Sequence, residues 1–123
     1  KYIKMLFTGI DIIEIHRIKD VYLRYPERFM KKIFTDQETS YCRGRFPQIA
    51  ARFASKEAVM KALGTGIRGV PWKSIEVHRS RGKAPEIILY GNAKKKAQEL
   101  GINRIALSIS HSRNYAVASV VVE

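Results

Sequence analysis

Two carboxylates in this sequence stand on otherwise apolar faces. The first is Glu57, inside Phe53-Ala54-Ser55-Lys56-Glu57-Ala58-Val59-Met60-Lys61-Ala62-Leu63-Gly64-Thr65-Gly66. A helical projection at roughly 100° per residue sets Ala50, Phe53, Ala54 and Met60 around Glu57, with Lys61 one turn further on. The same projection puts Gln48, Arg52, Ser55 and Lys56 on an opposite, solvated face. A carboxylate among apolar neighbours must be paired, protonated or bound to a cation, because an isolated buried charge is too costly. One reading is an i,i+4 ion pair with Lys61, a weak and common interaction. The other involves Asp11. Met5 to Ile15 is an Ile-rich strand signal, apolar on both faces and so expected to be central and doubly covered. Period-two alternation puts Phe7, Gly9, Asp11 and Ile13 on one face. Gly9 leaves room there for another group to approach. The alternative, an Asp that closes the strand or caps the next helix, is weakened because Ile12, Ile13 and Ile15 continue the strand. Two such carboxylates suit a shared hard cation, and oxygen donors of this kind suit Mg²⁺, which keeps several waters and bridges to phosphates.

The elements that must position these residues follow in order. The Asp11 strand leads into a helix, His16 to Tyr25, ended by Pro26. Its apolar side is Ile18, Val21, Tyr22 and Tyr25. Arg17 and Arg24, seven apart, share a face and flank Val21. Glu27 to Ile33 is a second short helix with Arg28, Lys31 and Lys32 outward. These basic residues make either a solvated surface or a docking face for an acidic helix. Thr35-Asp36-Gln37-Glu38 is a capping-box pattern that should start a helix from Asp36 to Arg43, and it accounts for Glu38 without catalysis. The long helix then runs from Pro47 to Leu63 and stops at Gly64. Its Ala50, Ala54, Ala58 and Ala62 form a row that permits close packing. Gly64-Thr65-Gly66 with Gly69 to Pro71 reads as a flexible loop, either a plain turn or a cradle of N–H groups for phosphate. Trp72 to Arg79 and Glu86 to Tyr90 read as a hairpin around the turn Ser80 to Pro85. Asn92 should cap a helix, Ala93 to Leu100, closed by Gly101. Arg104 to His111 and Tyr115 to Val122 are the last two strands, the final one apolar on both faces and hence interior or interfacial. His111 ends an apolar row, either as a satisfied structural residue or, beside Ser110, Ser112 and Arg113, as an anion contact.

Length and composition limit the function classes. At 123 residues, 46% hydrophobic and 28% charged, this is one globular domain spanning 1–123. Cys42 is the only cysteine, so there is no internal disulfide and a reducing, cytoplasmic setting is expected. No apolar run approaches the ~20 residues of a membrane span, and the first residues run straight into a strand rather than a signal peptide. The net charge of +12 calls for an anionic partner: nucleic acid, an acidic protein, a phosphorylated ligand or a membrane surface. A basic RNA-binding module would explain the charge equally well. It predicts aromatics interleaved with basic residues on an exposed strand face, whereas the aromatics here fall on apolar helical positions. A non-catalytic docking subunit is the third class. There is no Ser-His-Asp spacing, no metal-type His or Cys pair and no complete Gly-rich nucleotide fingerprint.

Gly9-Ile10-Asp11-Ile12, the block from Arg52 to Gly66, and Ser108-Ile109-Ser110-His111-Ser112 occur in that order. Together they resemble the holo-acyl-carrier-protein synthases, the short class of 4′-phosphopantetheinyl transferases, essentially from end to end. The resemblance implies an α+β domain of that fold, with a mostly antiparallel sheet packed on one long helix. It implies a homotrimer with active sites at subunit interfaces. The implied reaction moves 4′-phosphopantetheine from coenzyme A to a serine of apo-acyl carrier protein, releasing adenosine 3′,5′-bisphosphate, in fatty acid biosynthesis. Asp11 and Glu57 would hold Mg²⁺, and Lys61 would contact a phosphate. Glu57, or a water it orients, would be the base. Arg52, His111 and Ser112 would hold the 3′-phosphate end of coenzyme A, with Gly64, Thr65, Gly82, Lys83 and Pro85 near the nucleotide. Arg17, Val21, Arg24 and Arg28 would bind the acidic carrier. Neither nucleic acid nor membrane is an expected partner.

Overall fold

The axis of the molecule is a helix of 18 residues, α4, from Phe46 to Leu63. Pro47 sits in its first turn, and Gly64 ends it in the left-handed region at φ 72°. The computed structural model describes residues 5–123. Before α4 come strand β1 (Phe7–Glu14) and three short helices, α1 (Ile15–Arg24), α2 (Pro26–Ile33) and α3 (Asp36–Cys42). After it come a helical turn, α5 (Gly66–Gly69), in place of part of the expected flexible loop, and a 3₁₀ turn over Trp72–Ser74. Then follow β2 (Ile75–His78), β3 (Glu86–Leu89), α6 (Gly91–Glu99), β4 (Ile105–His111) and β5 (Tyr115–Val122). The expected strand from Trp72 thus starts only at Ile75. Helix α6 begins at Gly91, with Tyr90 rather than Asn92 at its N-cap position. The capping box at Thr35 and Glu38 forms as its sequence pattern requires.

Three strands make one sheet in the order β1-β5-β4, and β2-β3 form a separate hairpin. Every strand pair among the described residues is antiparallel. The fold is the expected α+β arrangement, a sheet packed on one long helix. Cross-strand pairing puts Asp11 beside Ala118 and Ile13 beside Ala116, which pairs in turn with His111. Cross-strand partners share a face, so Gly9, Asp11 and Ile13 face α4 with the buried side of β5: Ala116, Ala118, Val120 and Val122. The small row Ala50, Ala54, Ala58 and Ala62 is wholly buried and lets helix and sheet come close. Gly9 is where they come closest. A Cβ there would overlap the Ala58 carbonyl and lie 2.9 Å from the Ala62 nitrogen. The group for which Gly9 leaves room is therefore the helix that carries Glu57.

Two expectations are corrected. Strand β1 is an edge strand and is covered on one face only within this chain. On its other face Ile10 and Ile12 are 61% and 63% exposed. The supposedly solvated side of α4 is also buried: Arg52, Ser55 and Lys56 are 4%, 0% and 0% exposed. Helix α4 is enclosed nearly all round, so it has no water-facing stripe for a projection to find. Cys42 is buried, and burial pushes its thiol up to about 11, which makes it a packing residue rather than a nucleophile. No helix among the described residues is long and apolar enough to cross a membrane.

Candidate active site

Strand β1 delivers Asp11, and α4 delivers Glu57 and Lys61, to one place. Asp11 and Glu57 line a single concavity of about 350 Å³, together with Arg17 and Val21 of α1 and the ring of Phe53. Phe53 is fixed by stacking on Trp72, with ring centroids 5.0 Å apart. Lys61 Nζ donates to the Ile10 carbonyl at 2.8 Å and to Asp11 Oδ1 at 3.1 Å. The i,i+4 pair with Glu57 is thus replaced by a pair across to the strand. The Lys61 side chain stays about half exposed, so its remaining donor points into solvent reach. The Glu57 carboxyl lies above the ordinary carboxylate range. Burial is the first cause and the Asp11 charge the second, while Lys61 and Arg17 pull the other way. Two carboxylates that repel each other in a half-buried cleft are a poor arrangement for stability and a good one for a cation. Among the described residues no group of three or more His, Cys, Asp or Glu converges. A hard cation bound here would take two carboxylate oxygens and complete its shell from water and ligand, as Mg²⁺ commonly does.

A second concavity, about 300 Å³, opens on another side of α4. Glu57 stands five positions after Arg52, which turns the two side chains about 140° apart around the helix axis. Arg52, His111 and Pro85 line it, which brings together three of the residues expected at coenzyme A. Tyr41, Gln48 and Arg79 also line it, and sequence reasoning missed all three. They come from α3, the first turn of α4 and the residue that follows β2, so no single periodicity relates them. Ser112 is not in this lining: it closes the β4–β5 turn, its hydroxyl accepting the Tyr115 N–H at 3.2 Å. Gly82 and Lys83 sit exposed in the hairpin turn, where Gly82 has φ 75°. Gly64 is open to solvent at the end of α4. Beside it, the buried Thr65 hydroxyl has no partner among the described residues, a polar atom suited to a ligand oxygen.

The basic face is also in place. Arg17, Val21 and Arg24 are exposed along α1 and line one shallow concavity with Asp20, Val21 being the apolar contact between the two arginines. Arg28 is exposed on α2 and lies over the Tyr25 ring at 5.4 Å.

Known proteins are similar to this chain in sequence and fold. The family model described as the 4′-phosphopantetheinyl transferase superfamily matches residues 8–120. A holo-acyl-carrier-protein synthase of Koribacter versatilis is 47% identical over 123 residues, covering 97% of this chain and 98% of its own length. One from Dehalococcoides mccartyi is 47% identical over 119 residues, covering 97% and 99%. Among solved structures, the Helicobacter pylori holo-acyl-carrier-protein synthase in complex with coenzyme A superimposes with a TM-score of 0.86 at 35% identity. That match covers 94% of this chain and 99% of the other. With nearly all of the sheet, the long helix, Asp11 and Glu57 inside the matched region, the chain belongs to the 4′-phosphopantetheinyl transferase superfamily.

Proposed function

We propose that this protein is a holo-acyl-carrier-protein synthase. It transfers 4′-phosphopantetheine from coenzyme A to a serine of apo-acyl carrier protein and releases adenosine 3′,5′-bisphosphate. The observation that carries the reading is the pairing of Asp11 with Glu57 in one cleft, beside a lysine and next to a basic docking helix. Mg²⁺ held by Asp11 and Glu57 would neutralise charge on the pyrophosphate and orient it for cleavage. The chain supplies the rest. Lys61, steadied by the Ile10 carbonyl and Asp11, presents a point charge to a phosphate oxygen. Glu57, or a water it orients, takes the serine proton, and its raised affinity for a proton brings it closer to the working pH of a base. The serine oxygen then bonds to phosphorus as the P–O bond to the leaving bisphosphate breaks. Arg52, His111 and Pro85 receive the nucleotide end, with Gly64, Thr65, Gly82, Lys83 and Ser112 near it. The test is conversion of apo-carrier to holo-carrier, read by intact mass, with coenzyme A and Mg²⁺ and again with a chelator. Conversion that persists undiminished under chelation would remove the metal from the reading.

Residues 1–123 act as one phosphopantetheinyl transferase domain, and the working unit is a homotrimer with its sites between subunits. Two observations support this. The outer face of the sheet carries three exposed apolar side chains, Ile10, Ile12 and Val121, at 61%, 63% and 40%, a hazard unless covered. The carboxylate cleft and the Arg52 concavity open on different sides of α4, so a ligand using both sets draws on two adjacent chains. Sedimentation at micromolar concentration should give three times the chain mass, and a monomer would end this proposal.

Carrier recognition belongs to Val21, Arg24, Arg28 and Arg17, but Arg17 has a second role. It also lines the carboxylate cleft and lowers the Glu57 carboxyl. The two functions separate by mutation. Arg24→Glu should raise KM for the carrier about tenfold, with a weaker salt dependence, and leave KM for coenzyme A unchanged. Arg17→Glu should do the same and in addition move the acidic limb of the pH–rate profile upward, because it removes a cation beside Glu57 and adds an anion. An unshifted profile in Arg17→Glu would confine that residue to docking.

A further inference from the structure

Tyr41 of α3 is the point on which three arginines meet. Its ring lies 4.2 Å from the guanidinium carbon of Arg52 and 5.4 Å from that of Arg45. Its hydroxyl is 3.5 Å from Arg79 Nη1, and its carbonyl accepts from Arg45 Nη2 at 2.6 Å. Arg52 and Arg79 both line the second concavity with His111, and no carboxylate is among its lining residues. Arg52 is 4% exposed. Its only hydrogen bond among the described residues is long, from Nη1 to the Gln48 carbonyl at 3.5 Å. Its buried Nε has no partner among them. A buried guanidinium left with an idle donor is an expensive feature unless a ligand completes it. The Tyr41 ring face offsets part of that cost and fixes the plane of the guanidinium before any ligand arrives.

We propose that Tyr41 is a positioning residue, whose ring and hydroxyl hold Arg52 and Arg79 side by side to receive a dianionic phosphate monoester. The proposal rests on the reading above, which brings the 3′-phosphate of coenzyme A to this concavity. Tyr41 itself does not touch the reacting atoms. It reduces the freedom the arginines would otherwise lose on binding, and that loss is a direct cost in affinity. The ring matters more than the hydroxyl, because the contact to Arg79 is at the long limit of a hydrogen bond.

The experiment is steady-state kinetics with coenzyme A and with 3′-dephospho-coenzyme A, for the wild type, Tyr41→Phe and Tyr41→Leu. The wild type should have a KM for the dephospho compound at least about tenfold higher, since charged hydrogen bonds are lost. Tyr41→Leu should raise KM for coenzyme A about tenfold, and leave both its kcat and the KM for dephospho-coenzyme A unchanged. Tyr41→Phe should stay within about twofold of wild type, because it keeps the ring face. If Tyr41→Leu does not fold, Tyr41→Met, whose longer, flexible chain fills the gap without a ring face, carries the same expectation. A wild type that treats the two substrates alike would take the phosphate out of this concavity, and the proposal would fall with that reading. A wild type that discriminates, beside a Leu or Met variant that discriminates equally well, would leave the concavity its ligand and remove Tyr41 from the account. A Phe variant as impaired as the Leu variant would also overturn it, since the ring would then not be the agent.

Discussion

Asp11→Asn and Glu57→Gln will each lose transfer activity by about 10³-fold or more while remaining folded. The size follows from the several kcal/mol that a bound cation supplies to a developing phosphoryl charge, at about 1.4 kcal/mol per tenfold. Retained folding follows from the electrostatics. The Glu57 carboxyl is raised first by burial and then by the Asp11 charge, so it holds its proton more tightly folded than unfolded. The stability tied to that proton is present below the unfolded value and is lost as pH rises through the folded value. At neutral pH the ionised Glu57 therefore works against the fold, and removing its charge relieves the strain. Without metal, Glu57→Gln should melt no lower than wild type at pH 7, and its relative advantage should shrink toward acid pH. Millimolar Mg²⁺ should raise the wild-type Tm by several degrees through binding to the folded form alone, and should do so weakly or not at all in either variant. A Glu57→Gln protein that loses turnover but keeps the full Mg²⁺ shift would make Glu57 the base and not a ligand. Near-wild-type rates from either variant at millimolar Mg²⁺ would end the two-carboxylate assignment.

The parts of this site that could be read from sequence were those set by a short period. Gly9 and Asp11 share a face because they are two apart on a strand. Glu57 and Lys61 stand one turn apart on a helix, and both segments carry their own start and stop signals. What could not be read was which side of each element would meet water. Ile10 and Ile12 look like core residues by composition, yet they lie on the open face of an edge strand in the single chain. Arg52, Ser55 and Lys56 look like a solvated stripe by type, yet they are buried. The projection assumes that polar residues on a helix seek solvent. That assumption fails when the sheet, α3 and the β2–β3 hairpin close around the helix and bring polar partners with them. The second concavity was partly legible because the resemblance singles out Arg52, Pro85 and His111, which the fold brings together. Tyr41 and Arg79 belong to elements 38 residues apart, and only the tertiary fold relates them.

The largest stability effect should come from Lys56, the residue most completely misread. Its side chain has no exposure, and its ammonium is 2.7 Å from Glu38 Oε1, itself fully buried. It also donates to the Trp72 carbonyl at 3.1 Å and to the Ile75 carbonyl. The three N–H donors of an ammonium thus meet three acceptors, and the Phe34 ring lies 5.5 Å away. Burial pulls the Lys56 ammonium below its usual range, opposed by the Glu38 carboxylate. Glu38 in turn accepts the backbone N–H groups of Thr35 and Val77 at 2.9 and 2.8 Å. One ion pair therefore ties α3, α4, β2 and the 3₁₀ turn bearing Trp72, whose ring backs Phe53 in the cleft. Lys56→Met keeps most of the volume but strands a buried carboxylate. Removing one partner of a buried pair costs about 3–5 kcal/mol, a large part of the ~5–15 kcal/mol that holds a domain together. For this length the thermal midpoint should fall by roughly 10–20 °C. Lys56→Met with Glu38→Gln removes both charges and keeps one acceptor oxygen for the backbone. The double variant should recover at least about half of the loss, because the stranded charge is gone. The check is a double-mutant cycle by calorimetry on the two single variants, the double variant and wild type. Additive losses would mean that the pair is not coupled. A Lys56→Met midpoint close to wild type would mean that the lysine is not held between Glu38 and the Trp72 and Ile75 carbonyls.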